Sequence, residues 1–442
     1  MSTGEPATTV GDRGQTEVGS VFVSNYPPYS FWRAEGIAEV DRVLAAPALP
    51  GAPLGLYLHV PFCRKRCKFC YFRVYTDKNA ADVEAYLDAL GREVENYAGR
   101  RAIAGRPLRF VYFGGGTPSF ISARSLRALV TRLRAALDWS AVEEVTFECE
   151  PGTLTQPKLA AIREVGVTRL SLGVESFDDR ILAENGRAHV SREIHRVLPW
   201  VRELGFPQLN IDLIAGMIGE TEESWRASVR QALEAAPDSL TIYQLELPYN
   251  TVYSGQLLQG GALTAADWPT KRAWQDWAID CFLENGYEVS SAYTLVKRGS
   301  GARFVYRDAV WHGCDLVGAG VSAFSHVSGV HFQNAARWES YLERVGAGEL
   351  PLERAYATTP RERLTREMIL QLKLGRIDPA YFRDKFGVSI LDEFAPAFAE
   401  LERRELLRRG AGDVRLTRQG LLQVDGLLPS FYAPEHRNAR YT

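Results

Sequence analysis

The sequence predicts an α/β protein: a partial (βα)6 barrel of the TIM type followed by a small C-terminal helical, winged-helix-like domain. Three observations predict it. From residue 54, short apolar runs alternate with amphipathic stretches, the mark of a parallel sheet built from βα units. The polar and acidic motifs cluster just after those runs, where such barrels gather their chemistry. Near the C-terminus, LLRRGAGDVRLTRQGLLQV reads as a helix followed by a short hairpin.

Taken in order, strands are expected at 54–60, 109–115, 143–148, 169–174, 208–216 and 239–247. Helices are expected between and after them at 80–99, 122–137, 155–165, 191–204, 221–235 and 268–286. The polar opening, MSTGEPATTVGDRGQTEVGS, has no apolar core and reads as a disordered tail over 1–20. A lead segment over 21–53 packs on the barrel (54–295), an extension over 296–354 lines its substrate side, and 355–442 forms an accessory domain. That last domain has no concentrated basic face and reads as a lid or docking element.

With 52 Lys and Arg against 54 Asp and Glu, the net charge of −2 gives no footprint for nucleic acid or an anionic membrane. No apolar run reaches the ~20 residues needed to span a bilayer. Six cysteines in 442 residues do not make a disulfide scaffold. A reducing cytoplasm is the expected compartment.

Cys63, Cys67 and Cys70 stand in the run HVPFCRKRCKFCYF. Thiolates so spaced on one loop can converge on a soft metal centre, and three leave a four-iron cluster with one open iron. Two blander readings compete: buried core thiols, or a zinc site completed by His59. Arg64, Lys65, Arg66 and Lys68 interleave the cysteines and leave no apolar period. Cys149, Cys281 and Cys314 are isolated and supply no second ligand pair.

The second strand runs into Gly114-Gly115-Gly116-Thr117-Pro118. Successive glycines let backbone approach a charged small molecule, although such a run can also be a flexible turn. Glu148, Glu175 and Asp212 end or punctuate successive strands, where they can bind amino or hydroxyl groups or be solvated loop carboxylates. Arg187 follows the fourth strand and can hold a carboxylate.

These motifs together resemble radical S-adenosylmethionine (SAM) enzymes of the oxygen-independent coproporphyrinogen oxidase family. The resemblance runs from SNYPPYSFW to the C-terminal domain, through LYLHVPFCRKRCKFCYF, YFGGGTPS, FECEPGTL, RLSLGVESFDDRIL, NIDLIAG and DLVGAGVSAFS. It implies a radical SAM barrel in which Cys63, Cys67 and Cys70 ligate a 4Fe–4S cluster whose open iron chelates SAM. It also implies SAM contacts from Tyr57, Phe69, Gly115, Gly116, Thr117, Glu148, Glu175, Arg187 and Asp212. Tyr57, Glu175 and Tyr306 are the implied catalytic residues; Tyr306, Arg307 and Phe324 are expected either to border a second SAM or to pack at the barrel edge. Reductive cleavage of SAM then yields a 5′-deoxyadenosyl radical that takes a hydrogen atom.

Two departures bear on the reaction. Phe72 stands where coproporphyrinogen oxidases carry a fourth cysteine, and Glu175 where they carry glutamine. A carboxylate at 175 can still accept from ribose hydroxyls, so SAM binding survives that change. On the ground of Phe72, of CYFRVYTDKN in place of the oxidase sequence and of the full-length architecture, the expected activity is that of a class C methyltransferase or cyclopropanase, using two SAM molecules to add a methylene to an sp2 carbon of a natural-product intermediate. Coproporphyrinogen III dehydrogenation and haem chaperoning are the alternatives. The implied partners are a small-molecule substrate, an electron donor such as flavodoxin or ferredoxin, and a companion methyltransferase-like enzyme.

Overall fold

The computed structural model describes residues 16–20, 22–261, 263–410, 412–437 and 439. Six parallel strands form its centre: β1 (Leu54–Val60), β2 (Leu108–Gly115), β3 (Glu144–Cys149), β4 (Arg169–Glu175), β5 (Gln208–Ala215) and β6 (Ser239–Gln244). They lie side by side in sequence order. Their runs of Val, Ile, Leu and Phe are buried along nearly their whole length, as expected of parallel strands covered on both faces. The covering helices start on side-chain caps: Asn79 for Ala80–Ala98, Ser122 for Ala123–Ala136, Thr155 for Gln156–Glu164 and Thr221 for Glu222–Ala235. The expected strands and helices agree with these to within a residue or two, except that β6 stops at Gln244.

The sheet does not end with the βα repeat. On the β6 side it continues antiparallel through β8 (Thr294–Lys297) to β7 (Tyr287–Val289). On the β1 side, β9 (Asp315–Ala319) pairs parallel to β1, and β10 (Phe324–Val327), β11 (Val330–Asn334) and β12 (Leu352–Ala357) follow antiparallel. The result is a twelve-stranded sheet with the six-strand barrel in its middle. The lead segment, with a helix over Ile37–Ala45, bridges to β12 through Arg33 and Ala355.

Beyond β12, helices Pro360–Leu372, Pro379–Phe386 and Ala395–Arg403 pack with β13 (Arg376–Ile377) and the hairpin β14 (Leu407–Arg409) and β15 (Val414–Leu416). Their core includes Met368, Phe382, Phe398, Leu401 and Phe431, together with Val23 and Tyr26 of the lead. The two ends of the chain are also tied by polar bonds. Val23 N donates to Asp425 Oδ1 at 2.9 Å, Lys373 Nζ donates to Val23 O at 2.5 Å, and Tyr26 Oη lies 2.8 Å from His436 Nδ1.

The expected disordered tail lies outside the described residues for 1–15. The expectation does not hold for its last residues. Thr16 Oγ1 donates to Ala266 O at 2.8 Å, and Gly19 N donates to Leu247 O at 2.8 Å. Backbone pairing with the loop after β6 holds this polar stretch in place where it has no apolar surface to bury. No helix among the described residues is long and apolar enough to cross a membrane.

Candidate active site

At the carboxyl ends of the strands a cavity of about 910 Å³ opens into the barrel. Cys63, Cys67, Cys70, Phe69, Gly115, Gly116, Thr117, Glu148, Glu175, Arg187 and Asp212 all line it. Its cover comes from both ends of the chain: Gly19, Ser20 and Phe22 on one side, Val424, Asp425, Tyr432 and His436 on the other.

The cysteine loop leaves β1 and is pinned at three points. Cys63 N donates to Tyr75 O at 3.0 Å, and Lys68 N to Asn185 O at 3.0 Å. Below the loop, Arg64 donates to both oxygens of Glu150 at 3.1–3.2 Å, and His189 Nδ1 meets Glu150 Oε1 at 3.0 Å. Burial opposes ionisation of Glu150, but the bond to His189 and its charge outweigh it and hold the carboxyl down at about 2.

Burial pushes the Cys63 thiol up to about 11 and that of Cys70 to about 12. Among the described residues, no three Cys, His, Asp or Glu side chains close on a single ion. A cluster in which each thiolate takes its own iron does not need them to, because its sulfur ligands stand apart around a cubane. The donor set fits that group: three thiols on one cavity wall, with Arg187 Nη1 3.3 Å from Cys67 Sγ to balance thiolate charge.

The glycine run is a close approach of backbone to backbone. Gly115 has φ +110°, and a Cβ there would lie 2.6 Å from the His59 ring. A Cβ on Gly116 would lie 2.8 Å from the Pro61 carbonyl carbon. The loop therefore seats directly against the end of β1, which puts Thr117 Oγ1 3.3 Å from Cys63 Sγ.

Three carboxylates face the same space. Glu148 accepts from Tyr112 Oη at 2.7 Å and Gly115 N at 3.1 Å. Asp212 accepts from Ser171 Oγ and Asn210 Nδ2, each at 2.9 Å. Glu175 lies 3.7 Å from Arg187 Nη1 and sits at φ +65°, a conformation that costs a non-glycine residue energy and is favoured at functional turns. Burial raises Glu148 and Glu175 to about 7, and raises Asp212 as well. Arg187 is buried too, which works against its charge, but Cys67, Glu175 and Glu150 hold it cationic.

Four expected site residues do not line the cavity, Arg307 among them, which donates to Asp308 Oδ1 at 2.8 Å and Ser290 Oγ at 3.0 Å. Tyr57 packs behind Tyr112, their rings stacked at 5.6 Å, and Tyr306 packs on Tyr112 at 4.4 Å and Phe110 at 5.2 Å. Phe324 turns away to Tyr29 at 4.4 Å and Trp32 at 5.6 Å in the lead segment. The reason is the sheet extension: β9 joins the outer edge of β1, so the segment over 296–354 builds outward. Of that segment's described residues only Phe304 reaches the cavity. Sequence reasoning missed Arg64, Tyr112, Glu150, Arg169 and His189. Tyr112 and Arg169 lie within expected strands, where alternation marks them as facing inward, and Glu150 stands two residues past Glu148.

Comparison with known proteins decides the family. The radical SAM superfamily matches residues 57–232, and the HemN C-terminal domain matches residues 358–422. The chain is a radical SAM protein with a HemN C-terminal domain. It is similar to the oxygen-independent coproporphyrinogen III oxidase of Escherichia coli (strain K12), 27% identical over 92% of this chain and 91% of the oxidase. It is also similar to the heme chaperone HemW of Bacillus subtilis (strain 168), 28% identical over 85% of this chain and 98% of the chaperone. The solved structure of the E. coli coproporphyrinogen III oxidase HemN, described as a radical SAM enzyme, superposes with a TM-score of 0.80 at 25% identity, covering 93% of this chain and 96% of that one. The cofactors of the superfamily are a 4Fe–4S cluster and SAM. The class C methyltransferase expectation gains no support from these relatives, and the alternative fits them better.

Proposed function

We propose that this radical SAM enzyme is of the coproporphyrinogen oxidase type and abstracts hydrogen from a carboxylate-bearing, tetrapyrrole-like substrate held in the barrel cavity. The observation that carries the reading is the make-up of the cavity itself. Its cover is built from the lead segment and the C-terminal domain, and likeness to the E. coli oxidase takes in 92% of this chain, against 85% for the chaperone.

In this reading Cys63, Cys67 and Cys70 hold the cluster, which with SAM supplies a 5′-deoxyadenosyl radical. The protein's part is to bind, orient and exclude water. Backbone groups of Gly115 and Gly116 and the Thr117 hydroxyl grip the amino-acid end of SAM. Arg187 meets its carboxylate, and Glu148, Glu175 and Asp212 accept from amino or ribose hydroxyl groups. Tyr112, Phe304, Tyr243 and Tyr293 line the cavity and keep the target in contact with the cofactor, away from water. Exposed Arg64, Lys65 and Arg66 beside the cysteines give an acidic electron donor such as flavodoxin or ferredoxin a basic surface to meet.

A second reading, methylene transfer from a second SAM, is favoured by one feature: Phe72, 42% exposed, stands where the oxidases carry a fourth cysteine. One anaerobic experiment separates them. Cluster-loaded protein is given dithionite, methyl-deuterated SAM and coproporphyrinogen III, and 5′-deoxyadenosine and porphyrinogen products are read by mass spectrometry. Unlabelled 5′-deoxyadenosine with decarboxylated porphyrinogen is the expected result. Deuterium in the 5′-deoxyadenosine would replace it with methylene transfer. Tight haem binding with no SAM cleavage would replace both with a chaperone role.

A further inference from the structure

The barrel interior holds a guanidinium that the protein itself does not use. Arg169 opens β4, is 1% exposed and lines the cavity. Its Nε and Nη1 are buried with no hydrogen-bond partner among the described residues. A buried donor left without a partner is costly, the more so on a charged group, so an orphaned arginine inside a cavity calls for a ligand.

Two carboxylates are near enough to feel its charge, since Arg169 lowers both Glu148 and Asp212 against the upward push of burial. Both are turned to other donors. Glu148 is taken by Tyr112 Oη and Gly115 N, and Asp212 by Ser171 Oγ and Asn210 Nδ2. One face of the guanidinium is covered by Phe304, whose ring centroid lies 4.0 Å from Cζ. A cation–π contact of that kind fixes the plane of the fork without consuming its N–H groups. Ser171 and Thr241 also line the cavity.

We propose that Arg169 anchors a carboxylate of the substrate at the floor of the barrel, opposite the cysteine loop. A planar fork with free donors matches a carboxylate by parallel N–H···O bonds, and Phe304 beside it favours an acid carried on an apolar frame. The ligand class is therefore a small carboxylic acid such as the propionate side chain of a tetrapyrrole. This inference rests on the cavity being the substrate chamber of the function proposed above. It adds the residue that orients the substrate by its acid group.

The test uses full-length, cluster-loaded protein with SAM bound, and propionate and propionamide as probes. Propionate at millimolar concentration should raise the Tm of the wild type and propionamide should not. Arg169→Gln should lose the propionate response while SAM affinity, measured by equilibrium dialysis, stays within about twofold. With coproporphyrinogen III as substrate, the same variant should raise half-saturation by about tenfold or more. Arg169→Lys, which keeps the charge but not the fork, should recover only part of both effects.

The outcomes separate cleanly. A propionate response that needs Arg169, in a wild type that does not turn over coproporphyrinogen III, would reject that substrate and support the anchor. Equal responses to propionate and propionamide, or the same response in Arg169→Gln as in the wild type, would overturn it. So would a loss of SAM affinity in Arg169→Gln as large as that in Glu148→Gln, which would make Arg169 a counter-charge for the SAM site. Should Arg169→Gln fail to fold, an undiminished propionate response in Arg169→Lys overturns the proposal on its own.

Discussion

Two buried polar centres flank the strand ends, and they are built in opposite ways. Under the cysteine loop, Glu150 is closed off by Arg64, His189 and Gly152 N, at 2.9–3.2 Å. Inside the barrel, Arg169 keeps buried donors free, and desolvation raises the partly buried carboxyls of Glu148 and Glu175 to about 7. The first centre is satisfied and holds the loop in place. The second is unsatisfied in the protein alone and is completed by what enters the cavity. Satisfaction of hydrogen bonds, more than charge or burial, separates scaffold from site here.

Four experiments break or sharpen that contrast, in descending order of effect. Replacing Cys63, Cys67 and Cys70 together with Ala should abolish iron binding and the broad absorbance near 400 nm of the reconstituted protein, roughly as for any such cluster. Retained iron would reject the ligand assignment.

Glu150→Ala should destabilise the protein by about 2–3 kcal/mol, because it strands the donors of Arg64 and His189, measured by denaturant unfolding. The carboxyl is depressed from 4.5 to about 2 on folding. Its stabilisation is thus fully present above pH 4.5 and disappears as pH falls through 2. Glu150→Gln should lack that acid loss, and an unchanged acid profile would place the stability elsewhere.

Arg187→Ala should weaken SAM binding about tenfold or more while leaving iron content intact. Unaltered affinity in equilibrium dialysis would remove Arg187 from the SAM site. The smallest effect is expected of Glu175→Gln. The carboxyl is raised from 4.5 to about 7 on folding, so the folded SAM-free protein binds the extra proton and loses stability as pH rises from 4.5 to 7. The variant should flatten that fall. It should also blunt the gain in affinity for cationic SAM as pH passes 7.

The parallel barrel was legible because each strand is an apolar run ended by a polar motif, a signal carried within a few neighbouring residues. The residues around the cysteine loop and Gly115–Gly116 were legible for the same reason, and they do meet in one cavity. What failed depends on distant packing. Phe324 and Tyr306 look like site aromatics until β9 is seen to join the outer edge of β1. Alternation along its strand marks Arg169 as facing inward, but only the closed barrel shows it buried with donors left free. The function reading turned on Phe72 and the run CYFRVYTDKN around it, a short local departure that the relatives did not support as the mark of a separate reaction class.

The cavity's cover joins Val23 to Asp425 and Tyr26 to His436. The six parallel strands, from Leu54 to Gln244, leave the ribosome before residues 425–436 are made, so during synthesis they form an open bowl. Closure waits on residues 425–436, which follow every strand they cover. A chain cut short by some twenty residues would keep its barrel and lose its roof.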